Sequence, residues 1–115
     1  MRQHTRVTFR SLFRIKVYDA AKGSLIGYIG DVSESGLRLL SDIAIDTGDI
    51  RTLRLKMRVR EDQILQIDIQ VVCMWSRLND KTGHFESGFT LVGQSAEYAK
   101  LVTDLLALRT RASAT

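Results

Sequence analysis

Leu53-Arg54-Leu55-Lys56-Met57-Arg58-Val59-Arg60 alternates apolar and cationic side chains without a break. Successive side chains of a β-strand point to opposite faces, so this order puts Leu53, Leu55, Met57 and Val59 on one face and the four cations on the other. A helix would scatter both sets around its circumference. The stretch therefore reads as a strand with one dry and one wet face. Downstream, residues 64–75 repeat the pattern, with Ile67, Ile69, Val71 and Cys73 on one face and Gln66, Asp68 and Gln70 on the other. Arg60-Glu61-Asp62-Gln63 reads as the hairpin link.

Working outward, Phe13, Ile15 and Val17 alternate with Arg14, Lys16 and Tyr18, and a turn through Ala21-Lys22-Gly23-Ser24 leads into a strand over 25–29. A short strand follows at 37–40, and Gly48 precedes the long central strand. Asn79-Asp80-Lys81-Thr82-Gly83 carries turn chemistry and introduces a last strand over 84–92. The period then changes. Tyr98, Leu101, Val102, Leu105 and Leu106 follow i, i+3, i+4, i+7, i+8, a helical stripe with Ser95 placed as N-cap. Such a short helix needs tertiary support, so it is expected to pack on the strands rather than to form a coiled coil or dock a partner.

The expected fold class is all-β with one helix: a six-stranded antiparallel β-barrel closed by a C-terminal α-helix. One domain over 1–115 is expected, with a flexible arginine-rich segment at 1–10, the barrel at 12–92, the helix at 95–108 and a frayed tail at 109–115. Cys73 is the only cysteine, so no intramolecular disulfide forms, and between Val72 and Met74 it reads as a buried hydrophobe suited to a reducing compartment. Neither an apolar signal segment nor a membrane-spanning apolar run is present, and the expected location is the cytoplasm.

Seventeen Lys and Arg against thirteen Asp and Glu give a net charge of +4, which admits nucleic acids, nucleotides and acidic protein surfaces. Arg2, Arg6, Arg10 and Arg14 all precede the first acidic residue. His4 and His84 have no Cys or carboxylate partners at ligand spacing, so no metal site is expected. Nor is there a nucleophile with an evident base, or a Walker or Rossmann glycine pattern. The chain reads as a binding module without catalysis.

Asp31-Val32-Ser33-Glu34-Ser35-Gly36 reads as the turn between the second and third strands. Taken alone, Asp, Ser and Gly have a structural reading in any turn, as local caps and a left-handed position. Their order resembles the D/N-x-S-x-x-G signature of PilZ domains, bacterial receptors for the second messenger cyclic di-GMP. That family also carries an R-x-x-x-R motif shortly before its first strand, which Arg2-Gln3-His4-Thr5-Arg6 matches. Arg6 with Arg10, and Arg10 with Arg14, share the spacing. Arg2 and Arg6 are preferred because the interval from Arg6 to Asp31 suits a β-hairpin and Arg14 already alternates as a strand position. The resemblance covers nearly the whole chain, and Trp75 and Gly88 before Phe89 also look like family features. It implies the six-stranded barrel with its terminal helix, cyclic di-GMP as ligand with no cofactor, and a downstream protein partner.

The chemistry suits such a ligand, which presents two phosphates and two guanines. A guanidinium chelates a phosphate or the guanine O6/N7 edge and stacks on a purine, roles for Arg2 and Arg6. Asp31 is the acceptor for the guanine N1 and N2 donors. Ser33 donates to phosphate or orders the turn, and Gly36 supplies a positive φ and a close backbone approach. Trp75 shares parity with Ile67, Ile69, Val71 and Cys73, which favours core packing over purine stacking and makes it a secondary ligand candidate only. Binding would order the N-terminal segment and so hide or expose a partner surface. Two other functions fit less of the sequence. A PilZ-like adaptor of pilus or flagellar machinery would have a degenerate motif. A barrel binding single-stranded nucleic acid through Arg54, Lys56, Arg58 and Arg60 would need interleaved aromatics, which that face lacks.

Overall fold

The computed structural model describes residues 7–8 and 15–114, and among them the side chains of residues 15–58 and 60–105. The alternating stretch forms β5 (Ile50–Arg60), which turns at Glu61-Asp62 into β6 (Gln63–Asn79). The register sets Leu53 against Ile69 and Leu55 against Ile67, all four buried. The period-2 pattern thus places its apolar side chains where water is removed from them.

The remaining strands are β1 (Val7–Thr8), β2 (Lys16–Asp19), β3 (Leu25–Ser33), β4 (Gly36–Ser41) and β7 (His84–Leu91). All pairings are antiparallel, and they run β3-β2-β5-β6-β7-β4 and back to β3, a closed ring of six paired strands. The short β1 pairs with β3 beyond the end of β2, setting Val7 against Val32 and Thr8 against Asp31. Four of the ring's contacts join strands consecutive in the chain. The two that close it, β2 with β5 and β4 with β7, join distant segments.

The ring's interior and one face of α1 (Ala96–Ala114) share a single core. Tyr98, Leu101, Val102 and Leu105 are buried there among residues such as Val32, Leu39 and Val71. The Oγ of Ser95 accepts from the Tyr98 amide at 3.1 Å, the N-cap the sequence predicts. The helix does not stop at 108 but runs to Ala114. Its last residues are mostly Ala and Arg, good helix formers, with no Gly or Pro to end it. Among the described residues no helix is long and apolar enough to cross a membrane.

Of the register shifts between the described strands, two bear on the motif and its neighbours. In β3 the register against β4 shifts between Ile29 and Asp31, and in β6 the register against β7 shifts between Cys73 and Trp75. An extra residue in one strand exchanges its two faces from that point on. Before the β6 bulge the odd residues Ile67 to Cys73 are buried; beyond it Ser76 faces the buried Ser87 and Trp75 is turned outward. In β3, likewise, Ile29 and then Val32 point inward, while the register sets Asp31 on the opposite face beside Arg38, where it is nonetheless buried at 8% exposure.

The core placement makes a direct prediction. Leu53→Ala, at a fully buried position, lowers the unfolding free energy by about 3 kcal/mol in urea titrations. Ile64→Ala, on the wet part of the same hairpin at 58% exposure, changes it by less than about 0.5 kcal/mol.

Candidate functional site

The motif occupies less of a turn than its residue types suggest. Asp31, Val32 and Ser33 complete β3, only Glu34-Ser35 form the turn, and Gly36 opens β4. Ser33 then pairs with Gly36, Val32 with Leu37, and Asp31 with Arg38. The line continues across the sheet, since Arg38 pairs with Gly88 and Gly88 with Trp75. Asp31, Arg38, Gly88 and Trp75 therefore form one transverse row on the outer face, spanning three strand spacings or about 14 Å.

Ionic hydrogen bonds bind this row together. Arg38 Nε donates to Asp31 Oδ2 at 3.0 Å, and Arg38 Nη1 lies 3.1 Å from Glu86 Oε1. Asn79 Nδ2 donates to Glu86 Oε2 at 2.8 Å. The Asn79 hydrogen bond, together with the charge and hydrogen bond of Arg38 and the charge of Arg77, holds the Glu86 carboxyl below its usual range against the opposing effect of burial. The Arg77 guanidinium sits 4.9 Å from the centre of the Trp75 ring. Asp31 and Glu86 thus offset Arg38 and Arg77, leaving the row close to electrically neutral.

Gly36 and Gly88 are required for space. Gly36 is not among the glycines with positive φ, which corrects the expectation of a left-handed position. A Cβ there would lie 1.9 Å from the Phe89 carbonyl oxygen, so glycine is what lets β4 approach β7. At Gly88 a Cβ would lie 2.2 Å from Trp75 Nε1, so the indole rests directly on the backbone. Trp75 is 36% exposed. The core reading of its parity is overturned, because the bulge after Cys73 exchanges the faces. The Cys73 thiol donates to the Trp75 carbonyl across that bulge at 3.3 Å, and burial pushes its pKa up, in keeping with a packed rather than reactive thiol.

Ser33 is buried, its Oγ 3.5 Å from the Gly36 carbonyl and 3.4 Å from Ser35 Oγ, both at the long limit of hydrogen bonding. Arg2 and Arg6 lie outside the described residues. In sequence, however, Arg6 immediately precedes Val7, which pairs with Val32 inside the motif. Sequence reasoning missed Arg38, Glu86 and Asn79. Arg38 was within reach of it: reading Glu34-Ser35 as a two-residue hairpin turn sets Arg38 opposite Asp31 by counting alone.

The cationic face of β5 is arranged differently. Arg54 donates to both oxygens of Asp68, at 2.9 and 3.1 Å, which raises the Arg54 pKa and lowers that of Asp68. Lys56 Nζ sits 4.6 Å from the Tyr18 ring centre. Half of that stripe is thus already engaged within the protein. Among the described residues no group of His, Cys, Asp or Glu could hold a metal ion.

Fold and motif agree with what comparison finds. The PilZ domain family matches residues 1–108, and the chain belongs to that family. No curated protein sequence matches. The solved structure of MrkH from K. pneumonia in complex with c-di-GMP is similar at a TM-score of 0.71 and 15% identity, over 98% of this chain and 54% of that one. YcgR from Escherichia coli in complex with c-di-GMP gives 0.69 and 11%, over 97% and 47%. The Bacillus subtilis inhibitor of motility, MotI/DgrA, gives 0.65 and 15%, over 96% and 52%. This chain spans about half the length of each of the three.

The lowered Glu86 pKa carries a signed pH dependence. Because the folded value lies below that of the unfolded chain, the stability contributed by the ionised carboxylate is complete above the unfolded value and is lost as pH falls through the folded one. Glu86→Gln is therefore expected to reduce the thermal midpoint at pH 7, with the difference from wild type shrinking below about pH 4. A difference that stays constant or grows on acidification would contradict the pairing.

Proposed function

We propose that the protein is a cyclic di-GMP receptor whose ligand lies between the N-terminal arginines and the outer face of β3 and β4. The observation that carries this reading is the pairing of Val7 and Thr8 with Val32 and Asp31, which brings the chain next to Arg6 alongside the D-x-S-x-x-G motif. Charge supports it. The row of Asp31, Arg38, Glu86 and Trp75 has no surplus positive charge for two phosphates, and Arg2 and Arg6 supply what it lacks.

In this reading Arg2 and Arg6 grip phosphate or the guanine O6/N7 edge, and Asp31 accepts from the guanine N1 and N2 donors while keeping Arg38 as a neighbour. Ser33 and Gly36 hold the motif backbone close enough to be approached. Trp75 is a secondary contact, stacking on a guanine where Arg77 now covers the ring. Binding closes the N-terminal segment over the barrel, and the rearranged surface is what a downstream protein recognises. The reading involves no catalytic step. The intact motif favours it over a non-binding adaptor. The Arg54–Asp68 pair leaves less free charge than a nucleic-acid surface needs.

Calorimetric titration with cyclic di-GMP, with GMP as control, tests the assignment. Arg6→Ala and Asp31→Asn each remove charge-assisted hydrogen bonds and are expected to weaken binding about tenfold or more. Asn at 31 still accepts from Arg38, so its thermal midpoint stays close to that of the wild type. Equal affinity in all three proteins would contradict the proposal.

A further inference from the structure

Among the described residues the largest fully buried side chain is Tyr98, at 1% exposure in the first turn of α1. Its single hydroxyl proton is shared between two acceptors, the Ser33 carbonyl at 2.9 Å and the Gly36 carbonyl. Those are the two residues that flank Glu34-Ser35 and pair across the hairpin. One phenol thus holds both sides of the motif turn from beneath, while the outer face of the same hairpin carries Asp31 and Arg38. The turn has a second tie, from the Leu91 amide to the Ser35 carbonyl at 2.9 Å, but that one comes from the sheet. The helix also packs against β1, the strand that Arg6 immediately precedes. The motif turn and the strand that pairs with it, β1, therefore both adjoin α1.

We infer that Tyr98 is a positioning residue that sets the D-x-S-x-x-G turn for its ligand and makes α1 the element that responds to binding. Nothing in packing requires the hydroxyl, because phenylalanine would fill the same space; what it adds is a connection between helix and turn across a separation of 62 to 65 residues. Without the phenol the two carbonyls keep each other's residues as partners across the hairpin, but the turn loses its tie to the helix and is freer to shift. It belongs to the backbone that carries Asp31 and Ser33, so the binding geometry would change with it. Coupling of this kind is reciprocal. If the helix sets the turn for the ligand, the ligand must in turn stabilise the first turns of the helix. The inference rests on the receptor reading above.

Three proteins test it: wild type, Tyr98→Phe, and Ser95→Ala, which removes the helix cap but leaves the hydroxyl in place. Each is titrated calorimetrically with cyclic di-GMP, and amide hydrogen exchange is followed over residues 98–102 with and without it. Tyr98→Phe is expected to weaken binding about tenfold, and Ser95→Ala, destabilised to a similar degree, to bind within about twofold of wild type. Ligand slows exchange in the helix of the wild type and of Ser95→Ala, and not in Tyr98→Phe. Unchanged affinity in Tyr98→Phe, or an equal loss in Ser95→Ala, overturns the inference while the receptor reading stands. A wild type that binds no cyclic di-GMP overturns the receptor reading itself, and this inference with it.

Discussion

The site depends on a change of parity in two strands. An antiparallel barrel of this size assigns alternate residues to the core, and an uninterrupted β3 would turn Asp31 inward with Ile29, just as an uninterrupted β6 would turn Trp75 inward with Cys73. A carboxylate there would have to give up hydration without compensation, at a cost of several kcal/mol. The bulge in each strand reverses the alternation. Asp31 and Trp75 reach the outer face, while Val32 and Ser76 take over the inner one. Everything else in the row follows from register: Arg38 opposite Asp31, Gly88 opposite Arg38, and the indole lying on a backbone with no side chain to lift it.

Much of this fold is legible in the sequence because half-buried hairpins write their burial as a period of two. Leu53 to Met57, Ile67 to Cys73 and the helical stripe from Tyr98 to Leu105 all lie on the faces that their spacing predicts. What periodicity cannot convey is where it is broken. Neither bulge has a residue signature of its own, so Trp75 counts as a core position by parity and is not one. Gly36 shows the same limit in another form: glycine in a motif suggests a positive φ, whereas here it answers to the Phe89 carbonyl of a strand more than fifty residues away. The pairings that close the ring, β2 with β5 and β4 with β7, are likewise non-local and leave no mark in either partner.

The charge pattern also gains definition from the structure. A net positive chain with a cationic strand suggests a polyanion surface on β5, yet Arg54 is committed to Asp68 and Lys56 lies over Tyr18. On the other side, the row beside the motif balances two carboxylates against two guanidiniums. The proposed ligand site is therefore short of positive charge on the barrel itself, and the four N-terminal arginines are the natural source. This division of labour, a shaped and neutral barrel face completed by a charged segment, is how binding would become a change of surface that a partner can detect.

The central claim concerns where on the barrel the ligand lies, and amide chemical-shift mapping during titration with cyclic di-GMP tests it most directly. A ligand held at the motif gives saturable shifts at residues 31–38 and around Trp75 and Gly88, with residues 54–58 of β5 unmoved. Shifts concentrated on β5, or none at all with ligand in excess, would contradict it.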